Sequence, residues 1–216
     1  SRTVWTLVQS MSNRLPCTEV TARHVASTPL PTEIAAALEE IADQWAAHGA
    51  DPRISDIAAM TGIPRSTLYY HFSGRKDLLA YLATTVIASS RDIVLVASTG
   101  PGSEVEKLGR VLEAQVRFFA GRPHLAVTLF TNLGSAGDLR SLAERMNAAF
   151  HRPVERLLVA GRRAGHFRHV VSPETTASAL FGAVAMTAIH YLVVDGHLDA
   201  ERLIPELVPN LLRGLG

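Results

Sequence analysis

The chain has 216 residues, 47% of them hydrophobic, with 21 Lys and Arg against 20 Asp and Glu for a net charge of +1, and one cysteine, Cys17. That length suits one large domain or a small domain joined to a larger one. The near-neutral charge counts against a bulk polyanion binder, and one cysteine excludes an internal disulfide framework; Arg91, Lys107, Arg117 and Arg122 break the apolar runs short of membrane-spanning length.

Residues 1–31 stand apart. "VWTLVQSMSNRL" can form one helix, and "STPLP" ends regular structure before residue 32. The segment lacks the basic region, apolar block and cleavage site of a signal peptide, so a reducing, cytoplasmic setting is expected. From there Ile34, Leu38, Ile41 and Trp45 recur at helical spacing, with Glu33, Glu39, Glu40 and Asp43 off the stripe. Thr32 or Pro31 can open this helix and His48-Gly49 close it; Asp51-Pro52 then turns the chain. A short helix is predicted from Ser55 to about Met60, with Ile57 and Ala58 inward. Gly62 supplies a turn, and Pro64 suits the first position of a helix running to His71 with Leu68 and Phe72 on one face. Arg75 to Ser98 reads as a longer helix that becomes apolar at Leu78, Leu79, Leu82, Val86 and Ile87. Further helices are expected at about 103–120, 123–133, 138–165, 173–195 and 199–214. The fold class is all-α, divided into an extension (1–31), a small helical unit (32–82) and a larger one (83–216).

Two helices joined by a short turn containing glycine have the form of a helix-turn-helix. Ile57 and Ala58 would pack on Ile41, Trp45 and Leu68, leaving the outer face of the second helix with Arg65, Ser66, Thr67, Tyr69, Tyr70 and His71. Arginine can fork onto a guanine edge, hydroxyls can bond several bases, and tyrosine can reach a phosphate. A helix that short spends its polar and aromatic groups on a partner that is not protein, and a major groove of double-stranded DNA fits. Residues 32–82 carry a net charge of −3, four cations against seven acids, but the cations all lie at or after Arg53 and form a local basic face. The extension, with Arg2, Arg14 and Arg23 against Glu19, would pack on this unit or lend DNA a basic arm.

"ISDIAAMTGIPRSTLYYHFSGRKDLL" resembles the DNA-binding signature of the TetR family of transcriptional regulators, and "GRRAGHFR" is similar, less specifically, to a stretch of that family's C-terminal domain. The resemblance implies an N-terminal helix-turn-helix DNA-binding domain and a C-terminal helical effector-binding and dimerisation domain. It further implies base contact by Arg65, Ser66 and Thr67, extended by Tyr70 and His71, and phosphate contact by Tyr69. Arg75 stands where the family usually has a phosphate-binding lysine. Pro64 and Arg53 depart from the pattern: Pro64 removes a polar opening residue, and Arg53 replaces the usual Ser or Thr before the second helix, taking over or losing its phosphate contact.

The larger unit would take the input. Arg117, Phe118, Phe130, Met146, Phe150, His151, Met186 and His190 are candidate lining of a pocket for a small, mostly apolar effector, with Arg117, His151 and His190 as polar anchors. The competing reading is that Phe and Met simply fill the core. No metal or cofactor is expected, since His166 and His169 have no further ligand at suitable spacing. Nothing has the form of a nucleophile elbow or glycine-rich phosphate loop, and no spacing gathers His124, His151 and Glu155, so an enzyme is not expected. A protein-binding adaptor is the other alternative, disfavoured because a protein anchor would prefer Leu or Trp to Ser-Thr-His. "TTASALFGAVAMTAIHYLVV", apolar almost all round, and "ERLIPELVPNLLRGL" suit a four-helix homodimer interface. The whole reads as a homodimeric, ligand-responsive repressor of a near-palindromic operator, without membrane partner, in which the helix from Arg75 is the lever between DNA and effector.

Overall fold

The structure, a computed structural model, describes residues 30–47, 53–124, 126–127 and 139–216. Regular structure among them is helical: α1 (Thr32–Ala47), α2 (Ile54–Thr61), α3 (Arg65–His71), α4 (Arg75–Thr99), α5 (Glu104–Gly121), α6 (Leu139–Met146), a π-helical turn (Asn147–His151), α7 (Arg152–Arg163), α8 (Pro173–Val194) and α9 (Ala200–Arg213). Residues 1–29, most of the helix expected at 123–133 including Phe130, and the side chains of Trp45, Arg75, Leu79, Leu82 and Val86 lie outside the described residues.

Helix starts follow side-chain chemistry. Ser103 accepts the Glu106 N–H while the Glu106 carboxylate accepts the Ser103 N–H at 2.7 Å, so two otherwise orphaned donors at the start of α5 are satisfied reciprocally. Ser172 caps α8 through the Thr175 N–H, and Asp199 caps α9 through the N–H groups of Glu201 and Arg202. Arg53 caps α2 with only half of such a box: arginine has no acceptor, so the one side-chain arm runs from the Arg53 N–H to Asp56 at 2.7 Å.

Several boundaries differ from those expected. α2 begins at Ile54, directly after its cap, rather than at Ser55. Pro64, with ψ at 139°, is the extended cap residue before α3 and not its first helical residue. The helix expected at 138–165 contains the π turn and ends at Arg163. It ends there because Gly165 adopts a left-handed φ of +80° and Phe167 folds back into the core. His166 and Phe167 both donate their N–H to the Gly161 carbonyl, at 2.8 and 3.4 Å. A Cβ on Gly161 would sit 2.3 Å from the buried Phe167 ring, so only glycine allows this approach. α8 is long and apolar enough to cross a membrane by length and composition, with Glu174 as its only charge, which corrects the expectation that no run reaches that length. One side of it enters the core, burying Ala177, Leu180, Val184, Ala185, Ala188 and Leu192, while Met186, Val193 and Val194 are exposed.

Two hydrophobic cores result. The smaller gathers Leu38, Ile41, Ile54, Ile57, Leu68, Phe72 and Leu78 from α1 to α4. In the larger, α5 is central: it packs on α4, α7, α8 and α9 and buries Leu108, Val111, Leu112, Val116 and Phe119. Phe118 packs against both.

Gly161→Ala is expected to destabilise the fold by about 1–3 kcal/mol through overpacking, and Phe167→Leu in the same chain to recover part of that loss. Urea midpoints of the single and double variants measure both effects. Equal midpoints for Gly161→Ala and the parent would remove the close-approach argument.

Candidate nucleic-acid interface and effector region

The turn between α2 and α3 is fixed by backbone and side chain together. Gly62 ends α2 in the left-handed region, φ 71°. The Thr61 hydroxyl donates to the Ile57 carbonyl at 2.7 Å and accepts the Ile63 N–H at 3.2 Å, tying both sides of the turn. α3 is anchored from below, with Leu68 1% and Phe72 4% exposed, and the Phe72 ring meets Tyr81 of α4 at 5.5 Å. Its outer face carries exposed Arg65 and Ser66, with Tyr69 61% and Tyr70 77% exposed; Thr67 and His71 are half-buried. The Tyr70 and His71 rings meet edge to face at 5.0 Å. Among the described residues, no hydrogen bond or ion pair engages the side chains of Arg65, Ser66 or Tyr69. The structure therefore gathers Arg65, Ser66, Thr67, Tyr69, Tyr70 and His71 on one seven-residue helix. The exposed Arg53 stands one helix away at the start of α2. Arg75 opens α4 just beyond α3, after Gly74, with its side chain outside the described residues.

In the larger unit the seven candidate lining residues that are described scatter. Phe150 is fully buried, and its ring meets Phe181 of α8 at 5.2 Å; His151 stands edge-on to both, at 5.9 and 5.6 Å. Both Phe150 and His151 belong to the π turn, whose extra residue per turn changes the face presented. Burial pushes the His151 imidazole below its usual range, which favours the neutral ring. Met146 is half-buried at the end of α6. Phe118 lies between the two cores rather than within the larger one. Arg117 is exposed and ion-paired with Glu201 of α9, whose hydrogen bond and charge raise its pKa. Met186 and His190 lie on the exposed side of α8. Phe130 lies outside the described residues.

Sequence reasoning passed over Gln115. It is buried among aliphatic neighbours on α5, and its amide Nε2 donates to Ser90 Oγ of α4 at 3.0 Å. A lone amide on an otherwise apolar helical stripe was the available signal. His166, weighed as a metal ligand, instead pairs with Glu104 at 3.1 Å, and no group of three ligating side chains occurs among the described residues.

Two family profiles match: "Bacterial regulatory proteins, tetR family" over residues 34–82, and "Tetracyclin repressor-like, C-terminal domain" over residues 101–215. The fatty acid metabolism regulator protein of Bacillus subtilis (strain 168) is 21% identical over 164 residues, 76% of this chain and 84% of its own. The fatty acid degradation regulator FadR from Bacillus halodurans is similar in fold, with a TM-score of 0.69 at 20% identity over 86% of this chain and 96% of its own. The FadR of Bacillus subtilis in complex with stearoyl-CoA gives 0.66 at 20% identity, over 85% and 98%.

The lowered pKa of His151 has a signed consequence. At neutral and higher pH the ring is uncharged in both states; as pH falls through the ordinary histidine range, the unfolded chain gains a proton that the folded chain resists, and stability is lost. His151→Phe should therefore flatten the fall in urea midpoint between about pH 7.5 and pH 5.5 relative to the parent. Parallel curves for the two proteins would mean that burial does not hold this ring neutral.

Proposed function

The chain belongs to the TetR family of bacterial regulatory proteins, and from that premise we propose that it is a cytoplasmic, homodimeric repressor released from a near-palindromic operator by a long-chain acyl thioester of coenzyme A. The observation that carries the DNA half is the outer face of α3, where Arg65, Ser66 and Tyr69 are exposed and unengaged while Leu68 and Phe72 hold the helix in place. In this reading Arg65, Ser66 and Thr67 read base edges with Tyr70 and His71 beside them. Tyr69, Arg53 and Arg75 hold phosphates.

Self-association follows from α8. Beneath its buried stripe it exposes Met186, Val193 and Val194, apolar groups that a second copy would cover, with α9 alongside. Two recognition helices related by a two-fold axis then face successive major grooves.

For the effector half, the support is an apolar helical interior with few polar groups, together with the stearoyl-CoA bound by the Bacillus subtilis protein of similar fold. The acyl chain would lie against Phe150, Phe181 and Met146. His151, held neutral by burial, and Gln115 would offer hydrogen bonds to the uncharged thioester rather than an ion pair to a carboxylate. Arg117, Met186 and His190, placed on the outside, have no part in this site. Release follows if the thioester binds more tightly to the arrangement with displaced helix-turn-helix units, because a ligand shifts an equilibrium only by its differential affinity.

Selection of bound sequences from random duplex DNA tests the proposal. The parent should enrich a palindrome. Arg65→Ala should relax one base position at a cost of about 1–3 kcal/mol, and Tyr69→Phe should weaken all sequences evenly by about 1 kcal/mol. Stearoyl-CoA should release the selected duplex, while stearate should release it less. No enriched site for a folded dimer would overturn the DNA reading. A site that stearoyl-CoA leaves bound would overturn the effector reading alone.

A further inference from the structure

Charge on the larger unit is concentrated on one helix. α7 carries Arg152, Arg156, Arg162 and Arg163 against Glu155, four minus one, or +3, whereas α4, α5, α6, α8 and α9 each lie between −1 and +1. Among the described residues none of these four arginines has a carboxylate within ion-pair distance. Arg156 donates Nε to the Arg152 carbonyl at 3.3 Å, and Arg162 donates to the Val171 carbonyl at 3.1 Å. Arg152, Arg156 and Arg163 share an open, solvent-facing flank of α7 with Glu155, Val159 and Ala160. The flank is thus net +2, three cations and one anion, spread along roughly 16 Å of helix at 1.5 Å per residue. Such a row of like charges repels itself until an anion neutralises it.

Position gives this flank its meaning. Arg152 directly follows His151, and His151 turns inward between Phe150 and Phe181. One helical element therefore has an aromatic inner end and, one residue later, the start of an arginine-lined outer face. We infer that this face of α7 holds the phosphates of the coenzyme A thioester whose acyl chain lies beside His151 and Phe181, an inference that rests on the effector reading above. Coenzyme A brings a diphosphate and a ribose phosphate, extended and polyanionic, and guanidinium groups bind such oxygens in forked pairs. Its pantetheine arm runs from the thioester toward Arg152, and its adenine lies over Val159 and Ala160. Arg162, tied to Val171, stays outside the site.

Titration calorimetry of the full chain with stearoyl-CoA, coenzyme A alone and stearate tests this. Arg152→Gln with Arg156→Gln should weaken stearoyl-CoA binding on the order of tenfold for each arginine removed and make it less salt-dependent, with stearate unaffected. Glu155→Gln should act oppositely and tighten coenzyme A, so the test does not depend on a loss alone. Thermal melts and the affinity for the selected duplex should stay at parent values. Unchanged stearoyl-CoA affinity in the double variant overturns the inference and leaves the effector reading standing. Lost duplex affinity instead assigns the face to DNA and overturns it as well. A parent that binds no thioester ends both.

Discussion

A single aromatic ring, Phe118, is shared by the two hydrophobic cores, and the connection between the recognition helix and the rest of the chain depends on it. It stands on α5, the central helix of the larger unit, and packs against the smaller core as well. The groups around it are polar. The Arg122 guanidinium lies 5.1 Å from its ring centroid and 3.7 Å from Glu39 of α1, and Glu39 also accepts the Ser89 hydroxyl of α4 at 2.9 Å. With both charges partly in solvent, that ion pair is worth at most about 1 kcal/mol. Fully desolvating a phenylalanine is worth about 1.5–3 kcal/mol, and the half-buried Phe118 gains a part of that. The apolar contact and the ion pair are therefore of similar size, and together they hold α1 against α4 and α5.

The two ends of α4 meet different halves of the molecule. Its first turns enclose Leu78 in the smaller core with α1, and its last turns put Val94 in the larger one. Between them, Ser90 accepts the buried Gln115 amide. A hydrogen bond inside an apolar seam is costly to break without replacement, so α4 keeps a fixed rotation on α5 unless another polar group takes over one of the partners. α4 also packs on α6, the π turn and α7. A ligand lodged near the π turn, as proposed, would press on the same helix whose first residues directly follow α3.

How much of this could be read from sequence depends on the kind of interaction involved. The helix-turn-helix was legible because its constraints are local: a glycine with positive φ, two apolar anchors at helical spacing and a polar outer face are all written within Ile54 to Phe72. The helical architecture was legible for the same reason. The placement of the candidate lining residues in the larger unit was not, because it is set by residues far apart in the chain. Arg117 has the chemistry of an anchor, yet Glu201, far along the chain, draws it outward. Met186 and His190 share a helix with buried residues but fall on its other side. The π turn shifts the face on which Phe150 and His151 lie, and no periodicity announces one inserted residue. Gly161 looked like ordinary helix until Phe167 was seen against it.

The recognition helix itself is the strongest case of structure borrowed from elsewhere. At seven residues α3 is well short of the roughly 12–15 needed for an isolated helix to persist in water. It has no side-chain cap at its first turn, because Pro64 offers none, and a single histidine is the only basic group in its last. Its order comes from Leu68 and Phe72, set into a core closed by α1, α2 and α4, and from the Thr61 and Gly62 turn that delivers it. That core leans in turn on Phe118. The position of Arg65 and Tyr69 is therefore not a property of the motif alone; it depends on α1, α2 and α4, which close the core beneath α3. A shift of α4 by a fraction of a helical turn moves the exposed groups of α3. In the proposed function, contact with DNA and response to a ligand are then two consequences of one packing arrangement.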